Sequence, residues 1–555
     1  MATMTAKKAL IELLHHEGVE YVFGIPGATE ILFMDALEGV RDIHYILAFH
    51  EAVCAGMAEG YARASGKVGF LNLHTGPGVA AALPILCNAY FGKVPLVITA
   101  GQNDTRLLQY DPQLSGDVVG IGKMCTKWST EIVHAQDIPV TVQRAFKMAM
   151  QPPMGPVLVS IPQNVLEQQF DFDYKATTTV YPQLRPDRAA LQVAVQIIRE
   201  AKRPFLLVGS GVTRCDALGE VVRFAELTGV RVYQSWVSDV DFPVSHPQYL
   251  GDIDPSSPSA TEVLYHADVL VAIGCPLFAQ GFFNPAPILP RDVRIIHIDE
   301  NPWEIGKNLS TDCGIHAHIG AALAELNDMI ENEMPSKERE DVTNRIKEIA
   351  REKQELREQL NLQLARERDR VPISISRLMT EIRDALPRDA VVVDECWSSS
   401  PVLRKVIEMT EPKTFFRVRR GGSMGYGLPV ALGVKLGLPG KPVVAVSGDG
   451  SAAWSMQSLW TAAHYRVPVT FVITNNAAYR QVKVVRKVVL GDYPLNERHL
   501  GMELDDPVVD FTMLAQSMGV RGEAVRDPGD LHRALNTAFD AGEPRVVEVF
   551  VENGP

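Results

Sequence analysis

Short apolar runs alternate with stretches of helical spacing along almost the whole chain. In a first region, 1–173, the apolar runs fall at 21–23, 68–73, 94–99 and 157–161. In a second, 189–330, they fall at 204–208, 269–273 and 293–298, and in a third, 371–555, at 390–394, 443–446, 469–473 and 545–551. Runs of this length, bounded by turn residues and separated by helical periodicity, predict buried parallel strands joined by helices. The expected fold class is α/β, with three doubly wound parallel-sheet domains over those regions. A charged, proline-bearing connector at 164–188 is expected to be an exposed linker. The segment 331–370, dense in Glu, Lys and Arg, predicts a solvated helical linker held by opposite charges three or four residues apart.

Composition agrees with a globular enzyme: 46% of the 555 residues are hydrophobic and 22% charged, more chain than one core usually supports. The net charge of −13 argues against nucleic acid as a partner. The first residues have helical spacing but no signal-peptide core, and no apolar run reaches membrane-spanning length, so a cytoplasmic protein without a membrane partner is expected. Seven cysteines at 54, 87, 125, 215, 275, 313 and 396 show no CxxC spacing and read as buried free thiols.

Chemistry concentrates at 446–476. One apolar run ends at Gly448-Asp449-Gly450 and the next at Asn475-Asn476, with Met456, Leu459, Trp460 and Ala463 at helical spacing between them. In a strand–helix–strand crossover both polar pairs reach the same sheet edge, where ligands bind. Asp449 and Asn476 offer hard oxygen donors suited to Mg²⁺, and the glycines let backbone amides approach a diphosphate. The partial motif Gly209-Ser210-Gly211 does not complete a dinucleotide fingerprint and reads as a structural turn. Glu51 opens a helix of small apolar residues. It either answers the helix dipole or, buried beside an apolar ring, shares a proton with a ring nitrogen.

The segments YVFGIPGATE (21–30), HEAVCAGMAEGYARASG (50–66), LHTGPGVAAALPILCNAYFGKVPLVITAGQ (73–102), RGGSMGYGLPVALG (420–433) and the GDG…NN stretch together resemble the thiamine diphosphate-dependent decarboxylase, carboligase and lyase superfamily. Benzoylformate decarboxylase, pyruvate decarboxylase and acetolactate synthase belong to it, and the local wording is most like the first. The resemblance implies pyrimidine-binding, middle and diphosphate-binding domains. It also implies thiamine diphosphate and Mg²⁺ as cofactors, and decarboxylation of a 2-oxo acid to an aldehyde through a C2 ylid and an enamine.

By that resemblance Glu51 would hydrogen-bond N1′ of the aminopyrimidine. The Gly422 carbonyl would hold the 4′-amine, and Met424 would support the bent cofactor. Ser398, Gly448, Gly450 and Ser451 would contact the diphosphate, while Asp449, Asn476 and the Ala478 carbonyl would ligate the metal. Trp397 stands where a small hydroxyl residue occurs and is read as packing. The first and third domains would come from different subunits, implying a dimer or tetramer.

The substrate pocket departs from the pattern. His74 matches one catalytic histidine, with a structural hydrogen bond as the alternative; Ala28 replaces the family's serine, and the second histidine falls near Gly281 and is absent. Arg480, Lys483 and Arg486, with Gln481, either attract an anionic substrate or form a solvated helix face. The stretch 273–278 lacks the arginines and aspartates of FAD-dependent relatives, which argues against FAD. The alternatives that remain are an acetolactate synthase-like carboligase, a 2-hydroxyacyl-CoA lyase, and a structural or regulatory subunit without catalysis.

Overall fold

The computed structural model describes all residues except 1, 175, 176, 178–182, 256, 279, 280, 282–287, 419, 492, 493, 496, 554 and 555. The chain divides into two compact units, one of Met1–Val180, Asp369–Leu403 and Val418–Pro555, the other of Tyr181–Arg368 and Arg404–Arg417. Three six-stranded sheets account for the α/β pattern: the first, and the third apart from Phe415–Arg417, lie in the first unit, and the middle one in the second.

In the first sheet the strand order is His44–Leu47, Tyr21–Gly24, Gly69–Leu73, Leu96–Gln102, Val157–Pro162, Trp128–Glu131, all parallel. In the third it is Phe415–Arg417, Val391–Glu395, Val443–Gly448, Val469–Asn475, Arg545–Phe550, Arg521–Val525. The inner strands are apolar runs because helices cover both faces, which removes the polar alternation of a half-exposed sheet. Within the first unit, the helix Glu51–Ser65 crosses the helix Gly427–Gly437 at backbone distance. A Cβ on Gly60 would lie 2.2 Å from the Val430 carbonyl oxygen, and one on Gly433 1.9 Å from that of Met57. Small residues on both helices permit that approach, so the small apolar run after Glu51 is spent on helix packing.

The second unit holds the middle sheet, ordered Tyr249–Ile253, Arg231–Ser235, Pro204–Val208, Val269–Ile273, Arg294–Asp299, Cys313–His316 and parallel throughout. Alternate residues feed opposite cores: Leu206, Val208 and Val271 on one face, Phe205, Leu207 and Leu270 on the other. The turn at Gly209 is packed shut, with the added Cβ 2.3 Å from Cys275 Cβ, and that at Gly211 likewise, 2.5 Å from Gly274 Cα. The structural reading of that partial motif therefore agrees with the packing.

The charged segment forms the expected helix, Ser336–Glu367, exposed along most of its length; Val342 and Ile349 are buried, and Lys353 Nζ donates to the carbonyls of Val244 and His246. Three expectations need correction. The connector contains the helix Gln163–Glu167 and the strand Gln169–Phe172, which pairs antiparallel with Ala2–Thr5 because Phe170 and Phe172 pack on the first core; much of its remainder, 175, 176 and 178–182, lies outside the described residues. The helix after Gly448 is two, Asp449–Trp454 and Ser458–His464, because Ser455 leaves helical geometry at φ −135°, ψ 25°. Finally, the helix Thr75–Gly92 brings Cys87 to Cys125, with Cα atoms 5.0 Å apart, and the two form a disulfide; the other five cysteines are buried free thiols.

Candidate active site

The strands Val443–Gly448 and Val469–Asn475 run side by side with Gly448 opposite Thr474, so their C-terminal ends open on one edge. This edge lies beside Val391–Glu395, where the strand order reverses, the place an open α/β sheet leaves a crevice. A cavity of about 200 Å³ occupies it, lined by residues of four segments: 396–399, Gly422 with Met424, 448–451, and Thr474 and Asn476 with 478–482. Ser398, Gly422, Met424, Gly448, Asp449, Gly450, Ser451, Asn476, Ala478, Arg480 and Gln481 all line it. Trp397 does so too, which sequence reading had assigned to packing.

Asp449 is nearly buried, and burial pushes its carboxyl up to about 6 although the amides of Gly450, Ala477 and Ala478 pull it down. Among the described residues the influences on it are burial and backbone amides, with no cationic side chain. A desolvated carboxylate beside the Asn476 amide oxygen and the Ala478 carbonyl is a donor set that fits a hard cation. No group of three or more His, Cys, Asp or Glu that could hold a metal ion occurs among the described residues. Space for a ligand is also present: a Cβ at Gly448 would meet only Thr474 Oγ1 at 4.0 Å, and one at Gly422, whose φ is +65°, nothing within 4 Å.

The turn carrying Gly422 and Met424 has no strand ladder, yet it is pinned. Downstream, the fully buried Glu395 accepts the amides of Tyr426 at 3.0 Å and Gly427 at 2.5 Å. Burial raises the Glu395 carboxyl to about 7 against the pull of those amides. Asn475, the first of the asparagine pair, serves the framework: its Nδ2 donates to Glu548 Oε1 at 2.6 Å and its Oδ1 accepts from Ala477 N at 3.0 Å. The second, Asn476, faces the cavity.

Glu51, His74 and Ala28 do not line this cavity. They sit on the first sheet's own edge. Glu51 is the first residue of its helix, capped by His50, whose Nδ1 accepts from Ala52 N at 3.1 Å. Its carboxylate lies over Gly78, where a Cβ would come within 3.0 Å of Oε1. His74 is half-buried at the N-cap of the helix Thr75–Gly92, with Nδ1 2.7 Å from Glu30 Oε2. Glu30, which sequence reading passed over, is buried and also accepts from the Thr29 hydroxyl, at 2.7 Å, and from Gly101 N, at 2.9 Å. A carboxylate at Nδ1 places the proton there and leaves Nε2 as the acceptor. The Thr29 hydroxyl is thus spent on Glu30 and does not replace the serine hydroxyl missing at the exposed Ala28.

Of the three basic residues after Asn476, Arg480 lines the cavity, and burial pulls its guanidinium down. Lys483 is buried, its Nζ bonded to Glu503 at 2.9 Å, so its charge is spent internally; Arg486 is not among the lining residues. Gly281 is exposed, and most of its neighbours, 279, 280 and 282–287, lie outside the described residues. No helix among the described residues is long and apolar enough to cross a membrane.

Comparison with known proteins agrees with this geometry. Residues 4–121 match the N-terminal thiamine pyrophosphate-binding domain of thiamine pyrophosphate enzymes, 191–326 their central domain and 398–549 their C-terminal binding domain. The chain is 30% identical to benzoylformate decarboxylase of Pseudomonas aeruginosa over 98% of both chains, and 29% identical to the acetolactate synthase large subunit of Haemophilus influenzae over 97% of this chain and 93% of that one. Among solved structures, the 4-hydroxybenzoylformate decarboxylase of Rhodococcus jostii RHA1 matches with a TM-score of 0.85 at 26% identity, covering 99% of each chain. With the N-terminal, central and C-terminal domains in order, relatives across nearly the full length and a cavity at the sheet edge the motif requires, the chain belongs to the thiamine diphosphate-dependent enzymes of the decarboxylase and acetolactate synthase family.

Proposed function

We propose that the protein decarboxylates a 2-oxo acid to an aldehyde, with thiamine diphosphate and Mg²⁺, at a site completed by a second copy of the chain. The observation that carries this reading is the division of the site residues. The cavity is built only from residues 396–482, whereas Glu51 and His74 lie on a different edge of the same unit. Glu51 stands against Gly78 and the Gly422 turn against Asn88, ten positions apart on one helix, or about 15 Å at 1.5 Å per residue. A cofactor reaching both Gly422 and a Glu51 therefore takes its glutamate from a partner, and a homodimer or homotetramer follows.

Bound thiamine diphosphate supplies a nucleophilic carbon and a sink for the electrons released with CO₂. The protein's part is binding, orientation and proton placement. Asp449, the Asn476 side-chain oxygen and the Ala478 carbonyl would hold Mg²⁺, while Ser398 and the amides of Gly450 and Ser451 would take the diphosphate. The Gly422 carbonyl would orient the aminopyrimidine amine, Met424 would fill the space beneath the bend, and the partner copy's Glu51 would keep a proton at N1′. His74, its Nδ1–H held by Glu30, would exchange a proton with the substrate oxygen through Nε2. Arg480 and Gln481 at the cavity wall favour a substrate with a polar or anionic far end. Carboligation is the second reading, favoured by the nearly equal similarity to acetolactate synthase.

The test is CO₂ release from a panel of 2-oxo acids, with and without an aldehyde acceptor, by wild type, by Glu51→Gln, by Asp449→Ala and by a re-associated mixture of the two variants. Each variant alone should be inactive. Mixed dimers carry both lesions in one site and none in the other, so equal mixing should restore about a quarter of the sites. No recovery in verified mixed dimers would overturn the shared site, and release only with an acceptor would make the enzyme a carboligase.

A further inference from the structure

We propose that Asn88 is a positioning residue of the cofactor site, its side-chain amide setting the turn that presents Gly422 and Met424 to the cavity. The inference rests on the cofactor reading above and concerns a residue on the other domain of the same unit. Asn88 lies near the C-terminal end of the helix Thr75–Gly92 and is fully buried. Its Oδ1 accepts from Ser423 N at 3.0 Å and its Nδ2 donates to Ser423 O at 3.2 Å. The amide thus engages residue 423 through both backbone groups, as a hydrogen-bonded residue of an antiparallel strand would. Two residues earlier, a Cβ on Gly421 would come within 2.3 Å of Asn88 Oδ1, so glycine is what allows the helix to approach.

The consequence falls on Gly422, held between these contacts. Its φ of +65° turns the chain sharply there, and both it and Met424 line the cavity. The segment 420–426 carries no helix or strand hydrogen bonding of its own. Its far end is fixed by Glu395 through the amides of 426 and 427, and Asn88 fixes the near end. A carbonyl that must meet a ring amine needs both ends held, since a backbone free to rotate at 421–423 loses the direction of that oxygen. The amide side chain carries a donor and an acceptor in one plane, matched to the carbonyl and the N–H of residue 423. Aspartate has the same shape but sets a second acceptor against the Ser423 carbonyl.

Asn88→Asp is therefore the informative variant, with Gly421→Ala as an independent way to displace the same turn. Cofactor affinity would be read from quenching of intrinsic tryptophan fluorescence during titration with thiamine diphosphate at saturating Mg²⁺, since Trp397 lines the cavity. Thermal unfolding of the cofactor-free protein and kcat at saturating cofactor complete the set. Both variants should weaken cofactor binding about tenfold or more and lower kcat even when saturated, while Asn88→Asp shifts the apo melting temperature by only a few degrees. Wild-type affinity and kcat in Asn88→Asp would overturn the proposal, and so would a lowered melting temperature alone, which marks a purely structural contact. Wild-type protein that binds no thiamine diphosphate would instead bring down the cofactor reading beneath it.

Discussion

The third and middle sheets each place a glycine pair at the point where strand order reverses, and only one of the two keeps the resulting crevice open. Gly448-Asp449-Gly450 follows the strand Val443–Gly448, and Gly209-Ser210-Gly211 follows Pro204–Val208; each leads into a short helix and lies beside the next parallel strand. In the middle sheet that neighbour ends in Gly274-Cys275, which folds back onto the glycines at 2.3 to 2.5 Å from their absent Cβ positions, and Ile319 closes the remainder at 2.7 Å. In the third sheet the neighbour ends in Asn475-Asn476, and Asn475 is drawn off to Glu548; the Tyr479 ring fills the position over Gly450 at 2.5 Å, while room remains above Gly448. A glycine at a strand end reserves space next to the backbone; the adjacent strand decides whether protein or ligand takes it.

The largest effect should come from removing Asp449, the carboxylate that lines the open crevice. Asp449→Ala should weaken Mg²⁺-dependent thiamine diphosphate binding about a hundredfold or more, as measured by titration calorimetry. Retained tight binding would remove the metal role of that crevice. Next in size is a pair of substitutions with opposite signatures. Gly211→Ala drives a Cβ into Gly274 and should cost the middle domain about 1–3 kcal/mol in denaturant unfolding without changing cofactor affinity. Gly448→Ala, at φ −71° with open space above it, should leave stability within about 0.5 kcal/mol and weaken the cofactor instead. The same signature from both would erase the distinction.

Much of this contrast is legible in the sequence. The runs at 204–208 and 269–273 coincide with strands to the residue, because a strand covered on both faces is a continuous apolar run with sharp polar ends. Asp449 and Asn476 stood out for the same reason, as hard donors where such runs stop. What stayed hidden depends on partners distant in sequence. Lys483 reads in sequence either as a charge for an anionic substrate or as part of a solvated face, and neither reading contains Glu503, its partner twenty positions on. Nothing near Glu30 marks it as buried beneath His74, 44 positions away, and Asn88 is one polar residue in an apolar helix whose partner lies 335 positions downstream. The break at Ser455 escaped because Met456, Leu459 and Ala463 keep helical spacing across it.

The closed side can be tested through its buried histidine. His297, on the strand Arg294–Asp299, is fully buried, and its Nε2 donates to the carbonyl of Cys275, the residue that fills the space over Gly209. Burial pulls the imidazole down to about 4 from an ordinary value near 6.5. As pH falls from 6.5, the unfolded chain takes up this proton first while the folded chain stays neutral. The contribution is therefore complete above 6.5 and is lost progressively between 6.5 and 4. Between pH 7 and 4.5 wild type should lose about 2–3 kcal/mol more than His297→Gln in urea unfolding of the middle domain. Parallel pH profiles for the two proteins would mean that the imidazole titrates in water. The glycine crevice of the middle sheet would then be open, like its counterpart, and the contrast between the two sheets would fail at the residue that seals it.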